Sequence, residues 1–424
     1  MNDWPVVKLN YCFNTIGSGT TPPTSSSNFY NGEIPWVTTS ELRETVIHGT
    51  QKRVSEDAFT EHSALKLYPE GSLVIAMYGA TIGRLGILGI PATVNQACCV
   101  FAEPLDTDIK FIYYYLQAAK EELLLSARGG GQPNLSQDDL RQLRLALPPL
   151  PTQRAIARYL DARTARIDAL IARKQRLLEL LAERRAALIT RAVTRGLDPA
   201  APTYDSGVDW LGDIPVGWEV KRLKYCVDLL PGYAFSSQNY VKDETQIPLL
   251  RGINIKPNGF DWEDAAYWDT ENIRPYARYL LEEDDVVLGM DRPWITSGLR
   301  VLQIKHSDLP MLLLQRVARL RGSKMLDSSY LYYLLHSKPF LAYFTPIVTG
   351  VSVPHISSGQ IYDFETAIPP IATQHSIVRK LKSLLDIQSK LFTETNTSIH
   401  HLQEYRSALI TAAVNGEVEL PQPE

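Results

Sequence analysis

The chain has 424 residues, of which 45% are apolar and 21% charged, and its formal net charge is −4. This length accommodates two or more domains, no apolar run approaches the ~20 residues of a membrane span, and the N-terminus lacks the basic-then-apolar order of a signal peptide. The four cysteines (12, 98, 99 and 226) form no C-x-x-C pair, which favours a reducing cytoplasm. The acidic total argues mildly against nucleic-acid binding, yet residues 152–195 hold eleven Lys and Arg against four Asp and Glu.

Residues 1–147 read as a mixed α/β domain with long loops. Apolar runs typical of strands occur in "GSLVIAMYG" (71–79) and "ACCVFA" (97–102), and a helical pattern lies near 108–125. Between them lie loops rich in Gly, Ser and Pro, such as "GSGTTPPTSSSNFYNG", and exposed loops of this kind commonly carry recognition. "GATIGRLG" (79–86) is dense in glycine, but it lacks the strand-to-helix context that cradles phosphates.

Residues 148–196 predict one long helix. Pro148 and Pro149 stop the preceding element, Thr152 is a good N-cap residue, and Gly196 is a typical helix terminator. Apolar and long side chains alternate at spacings of four and three, which is the pattern of a heptad seam. Its apolar members, predicted to pack, are Ile156, Leu160, Ile167, Leu170, Leu177, Leu181 and Leu188.

Residues 197–368 predict a second α/β domain, and residues 369–416 a second long helix before a short tail, 417–424. The second domain has a strand-like run in "DDVVLGM" (284–290), a helical pattern near 327–344, and loops such as "PGYAFSSQNY" and "RGINIKPNGFDWED". The apolar seam of the second helix is Ile377, Leu381, Leu384, Leu391, Leu402, Tyr405 and Leu409.

The chain repeats itself. "PPLPTQRAIARYL" (148–160) returns as "PPIATQHSIVRKL" (369–381), and "ALIT" (187–190) returns at 408–411, both at an offset of 221 residues. A constant offset is what a continuous helix requires, since one inserted residue rotates all that follows by about 100°. The echo continues upstream with an offset that drifts from 214, so the chain is a variable domain and a similar helix, twice.

Neither seam is fully apolar, so each helix needs a partner, and the economical partner is the other copy. Forty-odd residues make a rod of about 65 Å. The length, the lack of breakers and the duplication favour a two-helix spacer between two domains. A helical hairpin inside one globular domain stays open as the alternative.

Motifs for catalysis and for metal binding are missing. There is no G-x-x-x-x-G-K-[ST] loop for ATP, and no Asn-Pro-Pro-Tyr or Asp-Pro-Pro-Tyr run. Asp213, Glu219 and Lys221 superficially resemble a nuclease metal set, a match that arises readily by chance. His400 and His401 are neighbours on a helix and point about 100° apart, so they do not chelate together simply. No catalytic or metal-binding residue is predicted.

The polar side chains that remain are suited to binding DNA. Arg pairs with guanine and Asn or Gln with adenine in the major groove, and Lys and Arg bind phosphate. Any one of these residues can equally be solvated surface or a local cap, but together, in the loops of two domains, they indicate DNA binding. The first domain offers Thr38, Ser40, Arg53, Arg84, Asn95, Gln96, Gln132 and Asn134. The second offers Arg251, Asn254, Lys256, Arg292, Trp294, Arg300, Gln315, Arg316 and His355.

Several separate motifs resemble the specificity subunit of type I restriction–modification enzymes. They are "GATIGRLG", "VNQACC" and "QPNLSQDDL" in the first domain, "YDSGVDWLGDIPVGWEVKRLK" and "GMDRPWITSGLRV" in the second, and "LPPLPTQRAIARYLDARTARIDALI" and "ALITRAVTRG" in the first helix. One departure is that the first domain lacks the "IPVGW" lead-in found before the second.

The resemblance implies two target recognition domains, each reading one half of a bipartite, asymmetric double-stranded DNA site, and two antiparallel helices that set the distance between the half-sites. It implies that this chain is not catalytic and binds no cofactor. Separate methylation subunits, usually two, would bring S-adenosylmethionine, and separate motor–nuclease subunits would use ATP and Mg²⁺. Because the domains differ at 292–294 against 80–82, the half-sites should differ too.

Two alternatives stay open. One is a self-contained DNA modification or cleavage enzyme, against which the missing motifs speak. The other is a duplicated scaffold that binds only protein. The basic helix face, with Arg158, Arg166, Arg173, Arg176 and Arg185, suits either solvent or contact with DNA or a methylation subunit, and contact is the favoured interpretation.

Overall fold

The computed structural model describes residues 3–126, 134–257, 259–295, 298–347 and 354–420. The chain divides into two compact units. Unit 1 is Met1–Gln175 with Asn396–Glu424, and unit 2 is Arg176–Thr395. Each unit therefore contains one α/β domain together with part of each long helix.

Unit 1 is built on a five-stranded sheet of order β2-β9-β6-β7-β4, a three-stranded sheet of order β5-β3-β8, and the pair β1-β10. Its strands are β1 (Val6–Lys8), β2 (Phe13–Ser18), β3 (Ile34–Val37), β4 (Thr45–Ile47), β5 (Arg53–Val54), β6 (Leu73–Ala76), β7 (Leu85–Leu88), β8 (Thr93–Val94), β9 (Cys98–Pro104) and β10 (Arg144–Ala146). Its short helices are α1 (Glu56–Glu61), α2 (Ile109–Ala118), α3 (Lys120–Ser126) and α4 (Gln137–Gln142), and the long helix α5 (Leu150–Arg195) follows.

Unit 2 repeats this plan with a four-stranded sheet of order β14-β24-β19-β22, a three-stranded sheet of order β18-β15-β23, and the pairs β11-β12, β13-β25, β16-β17 and β20-β21. Its strands are β11 (Thr203–Asp205), β12 (Asp213–Pro215), β13 (Glu219–Arg222), β14 (Val227–Pro231), β15 (Ile247–Leu250), β16 (Ile255–Lys256), β17 (Gly259–Phe260), β18 (Tyr267–Trp268), β19 (Val286–Gly289), β20 (Trp294–Ile295), β21 (Gly298–Leu299), β22 (Val301–Gln303), β23 (Leu312–Leu313), β24 (Val317–Gly322) and β25 (Glu365–Ile368). Its helices are α6 (Ser328–Leu335), α7 (Lys338–Phe344) and α8 (Ser358–Asp363), before the long helix α9 (Ile371–Val414).

The central strand of each main sheet is apolar throughout because both of its faces are covered. In β6, Leu73 and Ile75 join the core that includes α2, while Val74 and Ala76 join the core on the opposite face, against the second sheet. In β19, Val286 and Leu288 face the α6 side, and Val287 faces the other. Strands buried on both faces read as continuous apolar runs, which is why these segments stand out in the sequence.

The two long helices, of 46 and 44 residues, pack antiparallel within each unit. In unit 1 the start of α5, with Ile156 and Leu160, shares a core with the end of α9, with Leu409 and Ile410. In unit 2 the end of α5, with Val193, shares a core with the start of α9, including Ile377 and Leu381. Gly196 follows α5 at φ +73°, a left-handed conformation that terminates a helix at little cost in glycine.

The buried face of each helix differs from the predicted seam. Of the residues predicted to pack, Ile156, Leu160, Ile167, Leu181, Ile377, Leu381 and Leu409 are buried, Leu188, Leu384 and Leu402 are half-buried, and Leu170, Leu177, Leu391 and Tyr405 are exposed. The prediction for these last four is wrong within this chain. In α5 the buried stripe runs through Thr164 and half-buried Ile171 and Leu178, one residue beyond the predicted positions.

The shift has a physical reason, since polar side chains on the inward face satisfy themselves locally. Thr164 is buried, and its hydroxyl donates to the carbonyl of Leu160 at 2.8 Å and lies 3.2 Å from the hydroxyl of Tyr114. Gln388 donates to the carbonyl of Leu181 at 2.6 Å. A pattern that counts only apolar residues misses such positions.

A buried glutamine joins each long helix to its domain. Helix α5 begins at Leu150, so Thr152 lies in the first turn and is not the N-cap residue that the sequence suggested. The next residue, Gln153, is buried, accepts from the backbone N–H of Asp108 at 2.8 Å and donates to the carbonyl of Pro148 at 2.8 Å. Gln374 makes the same contacts with Asp327 at 2.9 Å and Pro369 at 2.8 Å. The repeated "TQ" thus fixes the start of each helix against the N-terminus of a short domain helix.

Candidate nucleic-acid interface

Three loops of unit 1 converge at the end of strand β6. The N–H of Ala76 donates to the carbonyl of Arg84 at 2.9 Å, and the N–H of Met77 donates to the carbonyl of Ala97 at 2.8 Å. The carbonyl of Met77 accepts from the N–H of Leu135 at 2.7 Å, and Tyr78 is bridged to Asn134. These bonds gather Arg84, Gln96 and Asn134 around one strand end, and we call these three residues the first loop cluster.

Unit 2 has the same construction at the end of β19. The N–H of Gly289 donates to the carbonyl of Arg300 at 2.9 Å, and the N–H of Met290 donates to the carbonyl of Arg316 at 2.8 Å. The carbonyl of Met290 accepts from the N–H of Ile356 at 2.9 Å, and Asp291 is bridged to His355. We call Arg292, Arg300, Arg316 and His355 the second loop cluster. By these bonds Arg300 occupies the place of Arg84, and His355 that of Asn134.

The second loop cluster is rich in cations around one carboxylate. His355 Nδ1 lies 2.6 Å from Asp291 Oδ1, and Arg316 Nε lies 3.6 Å from Asp291 Oδ2. Arg292 is exposed in a left-handed conformation, at φ +45°. Burial, with the charge of Arg292 as a second cause, lowers the pKa of the Arg300 guanidinium. Trp294 is half-buried and pairs with Leu299 across the β20–β21 hairpin. The cluster presents more positive charge than Asp291 neutralises.

The first loop cluster is mostly neutral. Arg84 is half-buried and makes no ion pair with any carboxylate among the described residues. Gln96 is exposed and its side-chain carbonyl accepts from the hydroxyl of Thr21, while Asn134 is exposed. Asn95 is used locally, because its Oδ1 accepts from the N–H of Ala97 at 3.2 Å. Gln132, also predicted to bind DNA, lies outside the described residues.

Some predicted base readers are committed to local structure. Asn254 is 1% exposed, its Oδ1 accepts from the N–H of Arg251 at 3.1 Å, and its Nδ2 donates to the carbonyls of Asp261 and Asp264 at 2.9 and 3.3 Å. An amide so buried and fully bonded cannot meet a base edge, so this prediction is wrong. Arg251 pairs with Asp264 at 3.3 Å and also bonds Asn254.

In unit 1 the equivalent turn uses Thr38, whose N–H donates to Glu41 Oε2 at 2.8 Å and whose hydroxyl lies 2.8 Å from that of Ser40. Ser40 remains exposed at the tip of this turn. Both turns are closed by the side chain three residues on, as in a helix N-cap.

The remaining predicted contacts lie on the surface. Arg53 is exposed and pairs with Glu33, and Lys256 pairs with Asp261 at 3.3 Å. Gln315 is exposed beside Arg316, and its backbone N–H donates to the carbonyl of Tyr233 at 2.8 Å.

Two residues near the second loop cluster were not predicted. Tyr233 is 39% exposed next to Gln315, with its ring 5.0–5.3 Å from the rings of Phe235, Tyr276 and Tyr279. Ile253 is 49% exposed at the tip of the turn that Arg251 begins. A donor-and-acceptor search overlooks both, although the aromatic "PGYAF" loop carried a signal for Tyr233.

The basic face of α5 is largely solvated within the chain. Arg158, Arg166 and Arg173 are exposed in unit 1. In unit 2, Arg176 pairs with Glu179 at 2.6 Å. Arg185 is half-buried, and its charge opposes the rise that burial causes in the pKa of Tyr332.

Neither a metal cluster nor a membrane span is found in the part of the chain that the structure describes. No group of three or more His, Cys, Asp or Glu side chains there could hold an ion. Glu219 and Lys221, from the weak nuclease-like pattern, instead pair with each other at 2.7 Å. No helix among the described residues is long and apolar enough to cross a bilayer.

Comparison with known proteins gives a consistent result. The model of the type I restriction modification DNA specificity domain matches residues 1–180 and 215–401. The MjaVIII specificity subunit of Methanocaldococcus jannaschii is 24% identical over 92% of this chain and 88% of its own length, and the EcoAI specificity subunit of Escherichia coli is 32% identical over 56% of this chain and 40% of its own. A solved chain from a type I R-M system superposes with a TM-score of 0.75 at 16% identity, covering 98% of both chains. The predicted architecture of two α/β domains and two long helices is confirmed.

Proposed function

The chain belongs to the type I restriction modification DNA specificity domain family and is a DNA-specificity subunit with two recognition domains; from this premise we propose that each loop cluster reads one half of a bipartite, asymmetric site. The observation that carries the proposal is the shared construction. The same three loops meet at the same strand end in both units, and different side chains stand on them. A constant frame with variable side chains is what two readers of different sequences need.

The side chains of each loop cluster indicate which bases it would prefer. Gln96 and Asn134 present amides, which pair bidentately with adenine, while Arg292, Arg300 and Arg316 present guanidinium groups, which pair with guanine or grip phosphate. The exposed Tyr233 and Ile253 would add apolar contact to sugars or to thymine methyl groups. We therefore propose an adenine-weighted first half-site and a more guanine-weighted second one.

The long helices set the gap between the half-sites in this proposal. Helix α5 alone is 46 residues, a rod of about 69 Å at ~1.5 Å per residue. One heptad more or less would change the length of the spacer by about 10 Å, or roughly three base pairs.

Catalysis belongs to partner subunits in this proposal. Two methylation subunits would bring S-adenosylmethionine, motor–nuclease subunits would bring ATP and Mg²⁺, and the complex would act in the cytoplasm. Within unit 2, exposed apolar side chains on the long helices support docking of such a partner, since clustered exposed apolar surface marks protein interfaces. They are Leu177, Leu180, Ile387, Leu391 and Phe392.

A binding experiment separates the proposal from its rivals. The chain, co-purified with methylation subunits of its complex, is mixed with a random-sequence duplex pool at increasing salt. We expect capture of duplexes sharing a two-part motif, with affinity falling by about 10³–10⁵ between 50 and 200 mM salt if 6–10 phosphates are contacted. Salt-independent or absent DNA binding would favour a protein-only scaffold. Methylation by the purified chain alone would favour a self-contained enzyme.

A further inference from the structure

The side-chain stem of Arg300, in the second loop cluster, packs beside a glycine. It stands opposite Gly289 at the end of the β19–β22 pair, where the two backbones share a 2.9 Å hydrogen bond. A Cβ at Gly289 would meet Arg300 Cβ at 3.2 Å and Cδ at 3.4 Å. The stem of Arg300 therefore lies against the bare backbone of the glycine, which limits its rotamers.

The head of Arg300 has no hydrogen-bond or ion-pair partner among the residues that the structure describes. Its Nε is buried without a hydrogen bond, and no carboxylate pairs with the guanidinium among the described residues. Asp291, the carboxylate of this cluster, is engaged by His355 at 2.6 Å and Arg316 at 3.6 Å. The charge of Arg292 adds repulsion. A half-buried guanidinium that no carboxylate neutralises favours an acceptor supplied by a ligand.

We propose that Arg300 is the specificity-determining residue that reads a guanine in the second half-site, while Arg292 holds a phosphate. This inference rests on the proposed function. The contact with Gly289 restrains the stem of Arg300, and the parallel N–H donors of its guanidinium match the O6 and N7 acceptors of guanine. Exposed Arg292, on a left-handed turn, lacks such a support and suits the less directional phosphate.

The equivalent position in unit 1 makes the assignment specific to one half-site. Arg84 occupies the same backbone place, but its partner strand carries Ala76 where unit 2 has Gly289. In unit 1 a methyl group, that of Ala76, stands at the position that Gly289 leaves bare beside the Arg300 stem in unit 2. The stem of Arg84 therefore does not pack against bare backbone as the stem of Arg300 does. The same guanine contact is not proposed for the first domain.

The test compares Arg300→Lys with Arg292→Ala in the full complex, using the methylated motif and binding at several salt concentrations. Arg300→Lys keeps the charge and the stem but loses the paired donors. We expect it to lose about 5- to 150-fold discrimination at one base pair of the second half-site, with the first half-site and the salt slope unchanged. Arg292→Ala should weaken binding to all sequences alike and lower the salt slope by about 1.

Each contrary result is informative. If Arg300→Lys leaves the motif unchanged, or if Arg300→Ala weakens all sequences uniformly with a lower salt slope, Arg300 does not read a base and the inference is overturned. An intact first half-site in the variants serves as the internal control for folding. A wild-type complex that selects no two-part motif would overturn the proposed function itself.

Discussion

The two recognition domains share one backbone frame, the three loops bonded to a strand end, and differ in the side chains that stand on it. In both, the end of a central strand binds three loops through equivalent backbone hydrogen bonds, from Ala76 and Met77 in one domain and from Gly289 and Met290 in the other. Around this frame the first domain places one arginine and two amides, and the second places three arginines and a histidine beside a carboxylate. The comparison teaches that backbone bonds hold the geometry constant, so that side chains can change without loss of the fold.

The largest expected effect comes from exchanging a whole recognition domain. Replacing residues 1–147 with the corresponding domain of another family member should replace one half-site completely and leave the other half-site and the gap unchanged. Mapping of methylated sites checks this. Changes in both half-sites would show that the domains do not read independently.

The two glutamines that join the long helices to their domains, Gln153 and Gln374, should contribute equally to the stability of the protein. Gln153→Leu leaves the N–H of Asp108 and the carbonyl of Pro148 unpaired, and Gln374→Leu does the same to Asp327 and Pro369. We expect each variant to lose about 1–3 kcal/mol of stability per buried group left unpaired, seen as a lower Tm. Exposed Gln175→Leu is the matched control. A loss in only one of the two variants would show that the joints differ.

A pH-dependent difference should separate the domains. The helices "FIYYYLQ" (111–117) and "YLYYLLH" (330–336) correspond, so His336 stands where unit 1 has Gln117. Burial, opposed by the bond of Nδ1 to the Tyr332 carbonyl at 2.9 Å and reinforced by the charge of Arg185, lowers the pKa of His336 from 6.5 to about 4. Between these values the unfolded state binds the proton and the folded state does not, so stability is lost as pH falls.

His336→Gln should therefore remove part of the fall in Tm between pH 7 and pH 4.5, while exposed His401→Gln should not. Thermal unfolding of the three proteins at both pH values checks this. Identical pH profiles for the wild type and His336→Gln would contradict the assignment.

The smallest effects should come from surface cations that already have partners. Arg53 is exposed and already paired with Glu33, so Arg53→Ala should change DNA binding by less than about 1 kcal/mol. Arg84→Ala removes a cation of the first loop cluster that pairs with no carboxylate among the described residues, and it should weaken binding to all sequences alike and lower the salt slope by about 1. Titration of the complex with its own site measures both changes. An Arg53→Ala variant as weak as Arg84→Ala would mean that exposure, and not the absence of a partner, selects the DNA contacts.

Local and repeated features of this fold could be predicted from the sequence. Periodicity predicts the long helices, and apolar runs predict the central strands at 71–79 and 284–290. The constant offset predicts the two-fold repeat. The phase of the helix seam was missed because it depends on which face meets the neighbouring helix. Thr164 is acceptable inside only because Leu160 and Tyr114 satisfy its hydroxyl.

The candidate site was predicted as a set of residue types, and its spatial grouping was not. Arg300 and Arg84 could be listed from the sequence, but their equivalence comes from backbone hydrogen bonds that no local pattern encodes. Asn254 has the right chemistry for adenine, but its side-chain amide accepts from the N–H of Arg251, three residues upstream, and so closes the turn between them. Tyr233 lacked the expected chemistry and still lies exposed beside Gln315.

The central claim is that two frames with different side chains read two different half-sites. Its most direct test is a genome-wide map of adenine methylation in a host without such methylation, after expression of this chain with its methylation subunit. We predict one two-part motif with a fixed gap and unlike halves, absent when this chain is omitted. A palindromic motif with identical halves, or methylation that persists without this chain, would contradict the account.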